Sequence, residues 1–337
     1  MKLSENDLML VTGATGLVGS HVIERAHAEK IRVRALVRSQ ANTHLLDEWG
    51  VEKTMGDMTD PASLKSAVAG ATIIVHCAAK VGDWGPVDDY REANVRGLET
   101  LLNAAEATGS LRRFVHISSL GVYEARDHHG TDESEAPNTK GIDGYTLTKV
   151  EAEQLVLRHI AEKKLPATVL RPGFIYGPRD RTILPRILQR LKDKKFRYLG
   201  RGDQLMNNTF VRNLVDAIFV VLADDRSIGE VYNVRDGRLV SKREFIGTIA
   251  KLAGYEVPDK ELVLPVARLI ANVLEKIWKL RGKTEGPVLS NARIKFLGLN
   301  LDFSIAKIQR ELGYIPKVDF TDAINETIEW FREESIV

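Results

Sequence analysis

The chain has very little cysteine: Cys77 is the only one in 337 residues. A single thiol excludes an internal disulfide and any zinc site built from cysteines. No apolar run approaches the roughly 20 residues that a membrane-spanning helix needs. Neither sign of charge dominates, because 48 Lys and Arg stand against 46 Asp and Glu, so no strong field attracts nucleic acid. The opening residues, MKLSENDLMLV, are too polar for a signal peptide, and we expect a soluble, cytoplasmic protein.

The first half of the sequence alternates short β-branched runs with amphipathic segments, which is typical of parallel strands joined by helical crossovers. We predict strands at 8–12, 32–37, 51–55, 71–78, 113–119 and 167–171, and helices at 17–29, 61–69, 86–108 and 145–163. This order indicates an α/β fold with a Rossmann-type doubly wound parallel sheet. In such sheets the ligand site lies beyond the carboxyl ends of the strands.

The alternation is less regular after residue 172. We predict a helix at 182–192, a strand in NNTFV before a helix from 213, and a strand in EVYNV before a helix from 241. We therefore divide the chain into a dinucleotide-binding Rossmann domain, residues 1–172, and a smaller C-terminal α/β region, residues 173–337, that mainly binds substrate. The segment near 208–235 is left open between the two parts.

Glycines at 13, 16 and 19 in TGATGLVGS follow the first predicted strand and open the first helix. Glycines at these positions permit a tight turn and a close approach of the backbone to a pyrophosphate, which the helix start attracts. The second strand ends in Arg38 with no acid beside it, which favours the 2′-phosphate of NADP(H) over the free ribose of NAD(H). A solvated Arg38 that leaves NAD(H) in place is the alternative. Asp57 follows the third strand, where it meets the adenine edge or simply closes a turn.

An ordered set of motifs then resembles the extended short-chain dehydrogenase/reductase family, also known as the NAD-dependent epimerase/dehydratase superfamily. The motifs are TGATGLVG (12–19), VHCAA (75–79), NVRGLETLL (94–102), VHISSLGVY (115–123), YTLTK (145–149) and LRPGFIYGP (170–178). The resemblance is nearest to the branch of 3β-hydroxysteroid dehydrogenases, dihydroflavonol reductases and 3-keto acid reductases.

The resemblance implies a catalytic set in which Ser119 binds the substrate oxygen, Tyr145 is the acid/base and Lys149 is its partner. Ser118 is expected to pack, and Asn94 to support the site. Expected cofactor contacts are Gly13, Thr15, Gly16, Leu17, Val18, Arg38, Asp57, Met58, Ala78, Ala79, Lys80, Tyr145, Lys149, Pro172 and Gly173. Expected substrate contacts are Val81, Trp84, Ser119, Phe174 and Tyr176. We expect no metal site, since the neighbours His128 and His129 lack a third ligand.

This set predicts an NAD(P)-dependent oxidoreductase that interconverts a secondary alcohol and a ketone on an apolar substrate of the 3β-hydroxysteroid, 3-keto acid or flavanone type. A phenol with a pKa of about 10 is a poor base near neutrality. Lys149 and the cationic oxidised nicotinamide would each lower the pKa of Tyr145. Two alternatives stay open: an NAD-dependent sugar-nucleotide epimerase with the same three residues, and a non-catalytic dinucleotide sensor. Leu120 and Gly121 after Ser119 argue against dehydration.

One later segment, 263–281, has apolar residues at three- and four-residue intervals and indicates an amphipathic helix. Three interpretations are open for its apolar face: packing on the core, a lid over an apolar substrate, or a shallow peripheral membrane contact. The family resemblance also implies a homodimer formed through the helices near 92–108 and 145–163.

Overall fold

The computed structural model describes residues 3–4 and 6–337. Its strands are β1 (Leu8–Thr12), β2 (Arg32–Val37), β3 (Glu52–Met55), β4 (Ile73–His76), β5 (Arg113–Ile117), β6 (His128–Thr131), β7 (Ala167–Pro172), β8 (Phe174–Tyr176), β9 (Tyr198–Leu199), β10 (Leu205–Met206), β11 (Asn208–Phe210), β12 (Val231–Val234), β13 (Val240–Ser241), β14 (Glu261–Leu262) and β15 (Leu301–Phe303). Its α-helices are α1 (Leu17–Ala28), α2 (His44–Glu48), α3 (Pro61–Val68), α4 (Val87–Arg91), α5 (Gly97–Thr108), α6 (Gly144–Lys163), α7 (Leu184–Lys192), α8 (Val211–Ala223), α9 (Lys242–Leu252), α10 (Leu264–Leu280), α11 (Asn291–Gly298), α12 (Ala306–Leu312) and α13 (Phe320–Glu333). A π-helical turn, Glu92–Arg96, joins α4 to α5.

Seven strands form one parallel sheet in the order β12-β7-β5-β4-β1-β2-β3. The chain runs outward from β1 to β3 and then crosses back to β4, so the order reverses between β1 and β4. Crossovers diverge at that point and leave a crevice beyond the strand ends, where doubly wound sheets bind ligands. The predicted fold class is confirmed.

All six strands predicted in the first half form, but the fourth, predicted at 71–78, covers only Ile73–His76, and the fifth is also shorter than expected. The fifth strand ends at Ile117; the backbone N–H of Ser118 still donates to the Leu170 carbonyl of β7 at 2.7 Å, and the chain turns away at Ser119. The cause is local: the side chain of Ser119 accepts a hydrogen bond from the N–H of Gly121 and starts a turn of 3₁₀-helix, Leu120–Val122. The strand in EVYNV returns to the main sheet beside β7. The short pair β6 and β15 escaped prediction, because each strand depends on a partner far away in the sequence.

Buried side chains cover both faces of the sheet. Alternate residues of β1 point to opposite sides, as the strand period requires. Met9 and Val11 pack into a cluster with α1 and α8. Leu10 packs into a second cluster with α3, α5 and α6. A third cluster lies in the C-terminal half and joins α7, α9 and α13 through aromatic residues such as Phe245 and Phe320. No helix in the described part of the chain is long and apolar enough to cross a membrane.

Candidate active site

The Gly-rich turn has the geometry that a dinucleotide needs. Gly13 has a φ of 67°, and a Cβ there would lie 2.8 Å from the backbone nitrogen of Ala78. A Cβ on Gly19 would lie 2.2 Å from the carbonyl oxygen of Gly13, so α1 packs directly against the turn. Gly16 caps α1 without a side-chain hydrogen bond, which leaves the first N–H groups of the helix available to a phosphate. Thr15 and Gly16 are exposed, whereas Leu17 and Val18 are half-buried. The turn therefore fits a pyrophosphate.

Arg38 lies at the end of β2, exposed, and its guanidinium has no ion-pair partner among residues 3–4 and 6–337. Asp57 is half-buried and accepts hydrogen bonds from the backbone N–H and the hydroxyl of Thr59, at 3.0 and 2.9 Å. Met58 is buried against α5, where a Cβ on Gly97 would lie 2.6 Å from the Met58 carbonyl oxygen. Arg38 is thus free to meet a ligand, while Asp57 already closes its own turn.

The loop after β4 is attached to two helices by Asn94. Its side-chain oxygen accepts from the N–H of Lys80 at 2.7 Å, and its amide donates to the Lys80 carbonyl at 3.1 Å and to the Thr148 hydroxyl at 3.0 Å. Asn94 lies in the π-helical turn, and such turns frequently occur at functional sites. Ala78 and Ala79 are half-buried, and Lys80 is exposed. Asn94 therefore holds the predicted cofactor loop against α6.

The structure brings Ser119, Tyr145 and Lys149 together at the carboxyl end of β5. Tyr145 and Lys149 lie in the first two turns of α6, whose start is secured by a capping box between Asp143 and Thr146. Lys149 Nζ donates to the carbonyl oxygen of Ile117 at 2.7 Å and lies 6.0 Å from the centroid of the Tyr145 ring. The hydroxyl of Ser119 lies near enough to the phenol of Tyr145 to act on its pKa, which it lowers. Tyr145 and Ser119 are partly exposed, so a substrate can reach them.

Burial sets the protonation of the two groups in α6. It raises the pKa of Tyr145 to about 12, although the neighbouring Ser119 hydroxyl acts in the opposite direction, and the charge of Asp143 adds to the rise. Burial lowers the pKa of Lys149 to about 8, and the nearby Glu153 carboxylate acts in the opposite direction. In the chain alone the phenol is therefore protonated at neutral pH and can donate a proton.

Ser118 faces a buried polar network, in contrast to Ser119. Its hydroxyl donates to Glu153 Oε2 at 2.7 Å. Arg171 pairs with the same carboxylate, with Nε 3.0 Å from Oε2, and donates to the hydroxyl of Tyr123 at 2.7 Å. This network was not predicted from the sequence. The available signal was Glu153, an acid one helical turn after Lys149.

The loop that contains Val81 and Trp84 lies beside the start of α6. The hydroxyl of Tyr90 donates to the Trp84 carbonyl at 2.7 Å, and a Cβ on Gly144 would lie 2.6 Å from the Tyr90 ring, next to Tyr145. Val81 is exposed. The indole of Trp84 donates to the carbonyl of Lys283 at 2.8 Å, which joins this loop to the segment after α10.

Two other predicted substrate contacts are core residues. Tyr176 is fully buried, and its hydroxyl donates to Asp236 at 3.0 Å. Phe174 is also buried and packs on the rings of Phe245 and Phe296. Strand β8 pairs with β11, and both residues point into the C-terminal aromatic cluster. Neither side chain offers substantial exposed surface to a substrate.

Two predicted cofactor contacts, Pro172 and Gly173, lie where β7 ends. Pro172 is buried, and Gly173 follows it where a Cβ would lie 2.0 Å from the Asn207 carbonyl oxygen, so the backbone passes too close for any larger residue. His128, which the sequence placed in a loop, begins β6 and uses both ring nitrogens, with Nδ1 2.9 Å from the Thr131 hydroxyl and Nε2 3.0 Å from the Glu124 carbonyl. Lys295 was not predicted; it donates to the carbonyls of Gly121 and Tyr123, at 2.6 and 2.7 Å, and so holds the turn after Ser119.

Residues 9–234 match the model of the NAD dependent epimerase/dehydratase family. A ketoreductase of 4-hydroxy-2-methyl-3-oxo-4-farnesyl-3,4-dihydroquinoline-1-oxide from Stigmatella aurantiaca is 32% identical over 311 residues, 91% of this chain and 92% of its own. A 2-alkyl-3-oxoalkanoate reductase from Stenotrophomonas maltophilia is 29% identical over 94% of this chain and 97% of its own. A 3β-hydroxysteroid dehydrogenase/Δ5→4-isomerase from Mycobacterium tuberculosis is 28% identical over 96% and 90%. The predicted family and branch are confirmed.

Solved structures agree with the fold. The crystal structure of gox2253 is 30% identical, covers 98% of this chain and 99% of its own, and superposes with a TM-score of 0.83. A dTDP-glucose 4,6-dehydratase from Streptomyces venezuelae, solved with NAD bound, is 24% identical, covers 97% of each chain and has a TM-score of 0.78. At that identity the second likeness concerns the fold alone.

Proposed function

The chain belongs to the NAD-dependent epimerase/dehydratase family and is an NAD(P)-dependent oxidoreductase, and we propose that it interconverts a secondary alcohol and a ketone on an apolar substrate. The observation that carries this proposal is the meeting of Ser119, Tyr145 and Lys149 at the end of β5, which only β4 separates from β1 and the Gly-rich turn that follows it. Ser119 and Tyr145 are neighbours and both are partly exposed, while Lys149 is buried.

Each of the three residues has a distinct task. Ser119 and Tyr145 hold the substrate oxygen between two hydroxyl groups, and Tyr145 donates its proton to that oxygen as the ketone is reduced. A phenol whose pKa is raised to about 12 stays protonated at neutral pH, which suits reduction better than oxidation. Lys149 places a positive charge near the phenol of Tyr145, and this charge stabilises the phenolate that forms when the proton has left. The bound nicotinamide supplies the hydride.

We propose NADP(H) as the preferred cofactor. The Gly-rich turn and the open start of α1 hold the pyrophosphate, and Ala78, Ala79 and Lys80 line the path toward the nicotinamide. Arg38 is exposed and has no ion-pair partner in the part of the chain that the structure describes, so its guanidinium is available to a 2′-phosphate. Ser39 and Gln40, which follow Arg38 in the sequence, are not acids of the kind that pairs with the ribose 2′-hydroxyl of NAD(H).

The substrate class follows from the relatives and from the loop beside the site. The ketoreductase, the 3-oxoalkanoate reductase and the hydroxysteroid dehydrogenase are named for keto or hydroxyl chemistry on largely apolar molecules. Val81, with 61% of its surface exposed, offers apolar surface in the loop beside the start of α6. We infer a 3-keto acid, steroid or flavanone type of ketone. A sugar-nucleotide epimerase is the second candidate, and the missing dehydratase acids after Ser119 do not exclude it.

We further propose the division of labour and the assembly. Residues 1–172 bind the dinucleotide together with the returning strand β12, and most of 173–337 shapes the substrate site. A cytoplasmic homodimer forms through the outer faces of the helices near 92–108 and 145–163; on the second of these, Gln154, Leu157 and Arg158 line a shallow groove. Sedimentation of the whole chain at several concentrations tests this assembly.

The test is nicotinamide absorbance over time with NADPH and NADH in parallel, against 3-keto acids, steroid ketones, flavanones and UDP-sugars. Oxidation of NADPH by an apolar ketone is expected. Turnover of a UDP-sugar without net redox change would replace the proposal by the epimerase, and tight cofactor binding without any turnover would replace it by the sensor.

The variant Tyr145→Phe tests the mechanism. Loss of a positioned general acid is expected to lower kcat by about 10²–10⁴-fold, with cofactor binding unchanged. The matched control is Tyr255→Phe, which removes the same hydroxyl from a partly buried residue in the C-terminal cluster and leaves turnover intact. Equal activity of the two variants would contradict the role of Tyr145.

A further inference from the structure

Helix α10 has two apolar faces, whereas a surface helix needs one. The first face attaches it to the protein body: Ala267 and Ala271 are fully buried, and Leu274 and Trp278 are half-buried. These residues recur at helical spacing and form one stripe. The predicted amphipathic helix is thus present, and packing on the core explains only one of its stripes.

The second stripe is exposed. It is offset from the buried stripe by about a third of a turn and contains Val263, Val266, Leu269, Ile270, Val273 and Leu280. Leu269 is 66% exposed and Val273 is 49% exposed, so these are not side chains that merely border the core. A contiguous exposed apolar patch of this kind marks an interaction site.

The charges around the stripe have one predominant sign. Residues 264–283 contain the cations Arg268, Lys276, Lys279, Arg281 and Lys283 and a single acid, Glu275. Glu275 is turned toward α11, where its carboxylate accepts from the backbone and the amide of Asn291 at 2.7 and 3.1 Å. None of the five cations has an ion-pair partner among the residues that the structure describes. The whole chain has a net charge of only +2, so α10 and its end concentrate positive charge.

We propose that α10 is a membrane-docking helix that lies in the surface of an anionic lipid bilayer. An apolar stripe enters the boundary between headgroups and acyl chains, and neighbouring Lys and Arg side chains reach the phosphates. Charge complementarity selects this occupant, because a second copy of the same basic helix would bring like charges together. The helix lies on the membrane and does not span it.

Docking of α10 would bring the membrane close to the loop beside the active site. The carbonyl of Lys283 accepts from the indole of Trp84, and Arg293 Nε lies 2.6 Å from a carboxylate oxygen of Asp83. The loop at 81–86 is therefore connected both to α10 and, through Tyr90, to the start of α6. An apolar substrate dissolved in the bilayer would have a short route to this loop. That consequence rests on the proposed function, whereas docking itself does not.

The experiment is flotation of the full-length protein with vesicles of phosphatidylcholine alone, and with vesicles that contain an equal part of phosphatidylglycerol. Binding to the anionic vesicles, weakened by added salt, is expected. The double substitution Leu269→Gln/Val273→Gln is expected to weaken it by about 10–100-fold, since two aliphatic side chains no longer leave water. The substitution Lys276→Gln is expected to weaken it by about fivefold.

The matched control is Val257→Gln/Ile315→Gln, which changes two exposed apolar residues away from α10 and leaves vesicle binding unaltered. Failure of the wild-type protein to bind, or equal binding by the Leu269→Gln/Val273→Gln variant, would overturn the proposal. So would a wild-type dimer that this variant converts to a monomer, because the stripe would then belong to a second copy. Flotation needs no turnover, and its result is therefore independent of the enzymatic assay.

Discussion

The neighbouring serines 118 and 119 offer a sharp test of the site, because the same chemical change at adjacent positions is expected to have different effects. The hydroxyl of Ser118 is buried and donates to Glu153 at 2.7 Å. The hydroxyl of Ser119 is partly exposed and interacts with Tyr145. Ser118→Ala should therefore affect the free energy of unfolding, and Ser119→Ala should affect turnover.

The cost of Ser118→Ala follows from the charge of its partner. A hydrogen bond to an ionised group contributes about 1.5–3 kcal/mol, and its loss leaves the buried carboxylate of Glu153 one donor short. Arg171 still holds that carboxylate, so we expect the lower end, about 1.5 kcal/mol, and a fall in Tm of about 2–4 °C. Ser119→Ala loses the bond from the Gly121 N–H, which is less buried, and should cost about 0.5–1 kcal/mol.

The effect on activity should be the reverse. Ser119→Ala removes one of the two hydroxyl groups that hold the substrate oxygen, and removal of a comparable donor costs about 10²–10³-fold in kcat. Ser118→Ala should keep kcat within about threefold, since its hydroxyl touches neither substrate nor cofactor. Both variants are compared with the wild-type protein by thermal denaturation and by NADPH oxidation with the ketone that the substrate panel identifies.

Loss of turnover in Ser118→Ala with retained turnover in Ser119→Ala would refute the roles given to the two serines. That result would make Ser118 the residue that meets the substrate oxygen. Equal small losses of activity in both variants would instead remove the serines from the mechanism and leave Tyr145 as the only proton donor.

Two further predictions concern charge. Arg38→Gln should raise the KM for NADPH by about tenfold or more and leave the KM for NADH unchanged, because only NADPH has a 2′-phosphate. The control is Arg32→Gln, which changes an exposed arginine at the other end of β2. A parallel change in the KM of both cofactors would argue against a contact between Arg38 and the 2′-phosphate. The pKa of Lys149, lowered to about 8, predicts that kcat/KM for ketone reduction is level below pH 8 and falls above it as the ammonium loses its proton. Tyr145, with its pKa raised to about 12, stays protonated across this range, so a rise of activity with pH would contradict the scheme.

The linkage between Lys149 and folding has a defined sign. Burial lowers the pKa of this group from 10.5 to about 8, so the unfolded chain binds more protons between those values. Its contribution to the free energy of unfolding therefore rises with pH in that window, in the direction opposite to its effect on activity. Thermal denaturation across the same pH range would separate the two effects.

The sequence by itself determined the local features of this protein. The strand at 8–12, the Gly-rich turn and the helix after it follow from residue periods and from glycine conformations, which act over a few residues. Tyr145 and Lys149 share one helix, so their spacing alone predicted that they lie on one side of it. Their proposed partner, Ser119, could be named from the order of the motifs, because that order is a property of the whole family.

Tertiary structure decided what depends on residues far apart in the chain. Ser118 and Ser119 are alike in the sequence, and Glu153 on another element assigns them different surroundings. The sequence predicted that Tyr176 contacts substrate, but β11 and the aromatic cluster cover its ring, and its hydroxyl donates to Asp236. For α10, the pattern predicted an apolar face, but only the packed fold shows that Ala267 and its stripe are covered while Leu269 and its stripe are not. Burial depends on which surfaces meet, and a local pattern contains no information about the partner surface.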